Sequence, residues 1–440
     1  MSSTDASTAT MTTEAPRGTP SFGERFARFF AQRSVTMWAL VGVAIISTAR
    51  LISGNDDLTS SGTFGAALRT AAPIALCGLA GLWAERSGTV NIGLEGMMVM
   101  GTIFAGWWGW EYGPWAALLG GVIGGVLGGL LHAFATVTFG VNHIVSGFAI
   151  NIIAPGVARF MANLLFVGEP GGSITNSPGN KGSLGRFTMP LTSGGDLFGW
   201  TTPDPLGWIE ERGWFMVSDI AGLLKGLTTN ITYDLILVAA VFVASAYVIW
   251  HTPFGLRLRS AGERPSAADS LGVSVYATRY YGMILSGASA GLGGAVLVVF
   301  TNRYQEGQTG GRGFLGLATL IVGNWMPAGV AAGAGLFGYF QGITLRVRPE
   351  ELVRALILAA AIAIAVATVV AVWRKRWSIV PWTVALSAAG FIAYAMAERP
   401  NNQFGYIMPY LVTLDVVSVG GQQLRPPAQE GIPWRKGSQL

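Results

Sequence analysis

An all-α polytopic membrane protein of about 10–12 transmembrane helices is the fold class this sequence predicts. Three observations lead there. Of 440 residues, 51% are hydrophobic and only 12% are charged, about half the charged share of a soluble domain. Apolar segments recur along the whole chain, near the ~20 residues a helix needs to cross a bilayer. Glycine is abundant, at 62 residues, as expected where helices approach closely through small side chains.

The apolar segments lie near 37–53, 64–84, 94–110, 115–139, 144–166, 233–250, 280–300, 314–325, 330–345, 352–373, 379–397 and 406–419. The eighth and ninth are short and interrupted by Pro327 and Gly329, so a re-entrant pair is the alternative. Segments two to five and seven to ten share Gly-rich helices beside a broken one, the pattern of a pseudo-symmetric repeat. Residues 1–35 are rich in Ser, Thr and Ala with no long apolar run, and read as a disordered tail. The core is then 36–345, followed by a helix pair at 346–398 and a terminal helix with a tail at 399–440.

With the N-terminus inside, the cytoplasmic flanks collect roughly fifteen Lys and Arg against about six outside, including Arg374, Lys375 and Arg376. Both termini are then cytoplasmic. Residues 167–232 form an extracytoplasmic loop, and 251–279 a cytoplasmic one. Within the outer loop, Phe215, Ile220, Leu223, Leu224 and Leu227 make a loose helical stripe over 208–227, read as a surface helix, with an unstructured loop as the alternative. Arg50, Arg69 and Arg159, near helix ends, read as snorkelling to the interface.

Several chemistries are disfavoured. None of the four lysines follows a glycine, so there is no G-x-x-x-x-G-K-[ST] phosphate cradle. The three histidines, His132, His143 and His251, form no metal-ligand spacing, and Cys77 reads as a buried thiol. No cofactor is expected on this chain. The dispersed basic residues are not a nucleic-acid signal. No nucleophile–base pair stands out, so an enzyme is disfavoured, and uphill transport would need an ion gradient or another subunit.

The most informative stretch is Glu85 to Gly96, a polar, Gly-containing break where a membrane helix should continue. Irregular backbone at that depth is tolerated only where protein or a water-filled cavity covers it, and broken helices mark substrate paths in transporters. Asn91 and Glu95, four residues apart, would share one helical face and reach sugar hydroxyls or base nitrogens. The alternative is that they cap the broken helix. In the inner loop, Pro265 opens a short helix and Gly272 closes it in a left-handed conformation, fitting either a knob for a partner groove or a solvated turn.

The run Ser87–Met98, S-G-x-x-N-I-G-L-E-G-M-M, resembles the signature of membrane permeases of bacterial ATP-driven (ABC) importers. The similar branch takes up nucleosides and works with lipoprotein receptors of the basic-membrane-protein type. The resemblance covers most of 64–340 and a short closing tail, Pro409 to Thr413 and Arg425-Pro426-Pro427. It implies that Arg259, Gly262, Glu263, Pro265, Ala267, Ala268 and Gly272 belong to the loop that couples to a separate ATPase, where ATP and Mg bind. By the same likeness Asn142 and Asn151 join the substrate pathway, with His143 where the family commonly has Glu. Trp325, in G-x-W-x-P, could stack on a flat base or anchor at the interface, and Phe148 is a weaker stacking candidate.

The implied protein is a permease subunit in a bacterial cell membrane. Its partners are an ATPase subunit, a second permease (homologous or identical), a lipoprotein receptor and a small-molecule solute. A self-contained secondary transporter driven by H⁺ or Na⁺ through Glu95 or Asp415 is the alternative. Monosaccharides and branched-chain amino acids are the neighbouring solute classes.

Overall fold

The computed structural model describes residues 41–373, 375–397 and 424–435. The tail 1–35, the terminal segment 406–419 and Asp415 lie outside the described residues. The described residues are built from α-helices, with two 2-residue antiparallel ladders in the 167–232 loop.

The core helices are α1 (Val41–Ser53), α2 (Ser61–Arg86), α3 (Leu94–Tyr112), α4 (Pro114–Ala133) and α5 (His143–Phe166). The 167–232 loop carries β1 (Arg186–Phe187), β2 (Asp196–Leu197), β3 (Trp200–Thr201), α6 (Pro205–Glu210), α7 (Val217–Gly226) and β4 (Ile231–Thr232). There follow α8 (Tyr233–His251), α9 (Pro253–Glu263), α10 (Pro265–Ser270), α11 (Val275–Thr301), α12 (Arg312–Val322), α13 (Pro327–Ile343), α14 (Pro349–Trp373) and α15 (Val380–Met396). Six of the described helices are long and apolar enough to cross a membrane: α2, α4, α5, α8, α11 and α14. The eighth and ninth apolar segments prove to be α12 and α13, joined by a tight turn at Asn324–Trp325.

Local chemistry sets the helix ends. Ser60 accepts a hydrogen bond from the Thr63 amide at 3.2 Å and caps α2. Pro114 opens α4 at its first turn, where no amide is needed. Asn142 caps α5 by accepting from the Ile144 amide at 2.9 Å.

α2 and α11 run through the centre, and α3 and α4 pack beside α11 on a glycine seam. A Cβ on Gly125 of α4 would collide with the Gly287 carbonyl of α11, and one on Gly291 with the Gly121 carbonyl. Gly101 of α3 closes on Gly291 in the same way. This is backbone against backbone, the close packing that membrane helices obtain from small residues. Around it Leu76, Leu79, Leu82, Trp83, Leu292 and Val296 fill the core. Cys77 is fully buried and free.

The 167–232 loop departs from the expected single surface helix. Left-handed backbone at Gly213 and Met216 divides it into α6 and α7. Toward the start of α2, α7 turns its small and polar face, Ser218, Asp219 and Gly222, and leaves Leu224 outward. Arg50 does not snorkel. It is 5% exposed and pairs with Asp219 at 3.1 Å, which also accepts from Thr59 Oγ1 at 2.5 Å. The late pair α14–α15 packs together, and α14 is fastened through Leu352 and Ala355 to Leu58, Ile343 and Val347.

The seam makes a stability prediction. Gly125→Val must displace the α11 backbone, a cost of about 1–3 kcal/mol or more. Its detergent-solubilised protein should melt several degrees lower by thermal-shift assay. Gly335→Ala, where an added Cβ meets nothing within 4 Å, should melt at or above the wild-type temperature.

Candidate functional site

α2 stops at a turn in which the Ser87 and Gly88 amides bond back to Ala84 and Glu85, and Gly88 turns left-handed at φ +91°. The chain then runs irregularly to Leu94, where α3 begins. Asn91 lies inside this break and not on the helix with Glu95, so the expected shared face does not exist. Its side chain is fully buried. Oδ1 accepts from the Gly93 amide at 3.0 Å, and Nδ2 donates to Ser286 Oγ of α11 at 2.9 Å.

Two side chains of α5 and one of α4 complete the cover. Asn151 accepts from the Gly96 amide at 2.7 Å and donates to the Ile92 carbonyl at 2.8 Å. The peptides flanking Val90 are gripped from both sides. The Val90 amide donates to His143 Nδ1 at 3.1 Å, and its carbonyl lies 3.0 Å from His132 Nε2, which must therefore donate. Ser146 then donates to His132 Nδ1 at 2.9 Å.

Glu95, in the first turn of α3, reaches α12. Its two oxygens accept from the Gly311 amide at 3.0 Å and the Gly313 amide at 2.7 Å. A carboxylate on free N–H groups at a helix start is favourable both by hydrogen bonding and by the helix dipole. Asn91, Glu95, Asn142 and Asn151 thus all spend polar atoms on backbone.

At the far end of α12, Asn324 and Trp325 both adopt left-handed backbone, φ +53° and +54°. Two consecutive non-glycine residues in that region are strained and need outside support. Arg86 donates to the Trp325 carbonyl at 2.7 Å, and Trp325 Nε1 donates to Glu85 at 2.5 Å. The ring is only 5% exposed, so it is held against Glu85. Phe148 differs. It is 53% exposed, in a stripe with Val141, Val145 and Ile152 on the uncovered side of α5.

At this same end lies the 251–279 loop. α9 and α10 meet at Arg264–Pro265, and the left-handed Gly272 (φ +80°) closes the second helix, as the sequence indicated. Pro265 and Ala268 are buried, while Ser266, Ala267 and Leu271 project as a knob. The root of the knob touches the break directly. A Cβ on Gly262 would strike the Arg86 carbonyl, and Arg86 pairs with Glu263 at 3.7 Å. Arg86 and Arg259 also lie over the Trp250 ring, at 5.4 and 5.7 Å.

Sequence reasoning gave no role to Glu85, His132 and Ser286. The first two carried a usable signal, since ionisable residues within apolar helices need a partner. Ser286 had none, because its role depends on α11 lying beside the break. Among the described residues, no group of three or more His, Cys, Asp or Glu is placed to hold a metal ion.

Residues 63–367 match the family described as branched-chain amino acid transport system / permease component. The guanosine ABC transporter permease protein NupQ of Bacillus subtilis is 35% identical over 288 residues, 64% of this chain and 81% of that protein. The nucleoside ABC transporter permease protein NupC of Lactococcus lactis is 34% identical over 282 residues, 62% of this chain and 78% of that one. No solved structure matches. Together with a polytopic helical fold broken at the Ser87–Met98 signature, these matches place the chain in the family of branched-chain amino acid transport system permease components.

Proposed function

We propose that this chain is the membrane permease subunit of an ATP-driven importer whose solute is a nucleoside, with ATP and Mg bound on a separate ATPase subunit. The observation that carries the reading is the direct seat of the α9–α10 knob on the break between α2 and α3, Gly262 against Arg86 and Gly88. A push on the knob reaches the polar, irregular segment without passing through a soft linker. The relatives named for guanosine and nucleosides support the solute class.

In this reading the break, with Asn91, Glu95, Asn142, Asn151 and Trp325, shapes the solute path by fixing its backbone. Phe148, on the uncovered stripe of α5, offers a ring to a planar base. A second permease subunit, identical or homologous, faces that stripe. Arg259, Gly262, Glu263, Pro265, Ala267, Ala268 and Gly272 form the contact for the ATPase, with Leu271 at its tip. A lipoprotein receptor delivers solute on the side of the 167–232 loop. The chain sits in a bacterial cell membrane with both termini cytoplasmic, as the distribution of Lys and Arg supports. The decisive experiment is reconstitution with the ATPase, the receptor and any second permease subunit. Radiolabelled guanosine should accumulate only with ATP, and accumulation driven by a cation gradient alone would overturn the reading.

Substitutions at two positions probe the parts. Gly272→Val places a β-branched residue at φ +80°, a conformation costing about 1–2 kcal/mol or more for an L residue. Uptake should fall severalfold while receptor binding is unchanged. Gly272→Asn, which tolerates that backbone, should retain most uptake. Asn91→Leu strips partners from Ser286 and the Gly93 amide, at about 1–3 kcal/mol each. Initial-rate measurements should show uptake reduced by at least about tenfold, with the ATPase still co-purifying.

A further inference from the structure

The last described segment, 424–435, lies across the end of the molecule that carries the knob. It is fastened at five points on four different elements. The Arg425 amide donates to Asn324 Oδ1 at 2.7 Å, at the strained turn after α12. The Ala428 amide donates to Glu263 Oε2 at 3.2 Å, and the Gln429 amide to the Gly262 carbonyl at 3.0 Å, both at the root of the knob. The Gly431 amide donates to the Gly88 carbonyl at 3.1 Å, in the break itself. Arg279 of α11 donates through Nη1 to the Ile432 carbonyl at 3.0 Å.

The segment ends in an apolar anchor. Trp434 is 7% exposed and packs with Ala261 of α9, Ala268 of α10 and Val275 of α11, its ring 5.1 Å from that of Tyr276. A tail that was merely parked would not bury its largest side chain between the two helices of the knob and α11. Most of its fastenings run through backbone amides, and a turn at residues 428–431, with Gly431 left-handed at φ +75°, fixes its path.

We propose that residues 424–435 are a working part of the coupling machinery: a strap, anchored by Trp434, that makes the knob, the Gly88 turn and the Asn324–Trp325 turn move as one body. The proposal rests on the importer reading above. Without the strap, α10 would be free to rock about Arg264–Pro265, and a push on the knob would be spent on that motion. The carboxyl of Glu430 faces that of Glu85, the acceptor for Trp325. Burial pushes the Glu430 carboxyl above its ordinary range, which lets the two approach without full like-charge repulsion.

The test uses the assembled transporter and a readout that needs no solute. A cysteine introduced as Val90→Cys, in the half-buried part of the break, should alkylate at a rate that changes on adding ATP, while native Cys77 stays buried. Trp434→Ala should abolish that ATP-dependent change and cut guanosine uptake about tenfold, with hydrolysis and ATPase co-purification retained. Trp434→Phe, which keeps a ring against Tyr276, should restore both. Unchanged labelling and uptake in Trp434→Ala would overturn the proposal. So would parallel loss of ATPase binding, which would make the strap a docking piece. As a second arm, the pair Ala428→Cys and Glu263→Cys, bridged by a bifunctional maleimide, should transport as well as its unbridged form. Arrest on bridging would show a strap that must let go, and would equally overturn the proposal. A wild-type complex that responds to ATP in labelling but takes up no guanosine counts against the solute assignment alone.

Discussion

Peptide groups buried in protein have no water to bond to, and that constraint organises this protein. Between Ser87 and Gly93 the chain abandons the helix, the one local structure that would satisfy its own amides and carbonyls. Each buried group left bare would cost several kcal/mol. The replacements come from side chains on other elements, Asn151 and His143 from α5 and His132 from α4, while Asn91 is tied to Ser286 of α11 and Glu95 of α3 holds the start of α12. The break is therefore a crossing point at which five helices are cross-linked by hydrogen bonds. Moving it means moving them.

Its surroundings are apolar and tight in a complementary way. Where α3, α4 and α11 meet, glycine removes the side chains and the backbones touch. Where α2 meets them, Leu76, Leu79 and Leu82 supply the filling. Rigid polar clamps inside a close-packed apolar frame favour discrete rearrangement over gradual deformation, because neither the hydrogen bonds nor the packing can stretch far. Such a frame suits a device that alternates between two states.

Much of this was legible in residues. Apolar run lengths located most of the helices, and the cluster of Gly, Asn and Glu in Glu85–Gly96 identified the break. Pro265 and Gly272 bounded α10 and its closing turn, because proline and glycine impose backbone angles whatever their neighbours do. The partners of the polar residues were not legible. Asn91 could equally have met a solute, and only the position of α11 shows that it meets Ser286. Helical spacing misled at Asn91–Glu95, since it applies only where the helix continues. Arg50 looked like an interfacial residue because its partner Asp219 is 169 positions away. Long-range pairs of that kind leave no local periodicity.

The long α2 joins both ends of the molecule. Its 26 residues span about 39 Å, from the Ser61 amide bonded to Glu210 of the 167–232 loop to Arg86 beneath the knob. Pro73 stands near its middle, where a missing amide leaves one rung of the helix unmade. The two halves are thus separately fastened, one to the loop that would meet a receptor and one to the loop that would meet an ATPase. A hinge at Pro73 would let either half tilt without dragging the other. Events at the two faces would then be timed by different bolts on a single rod.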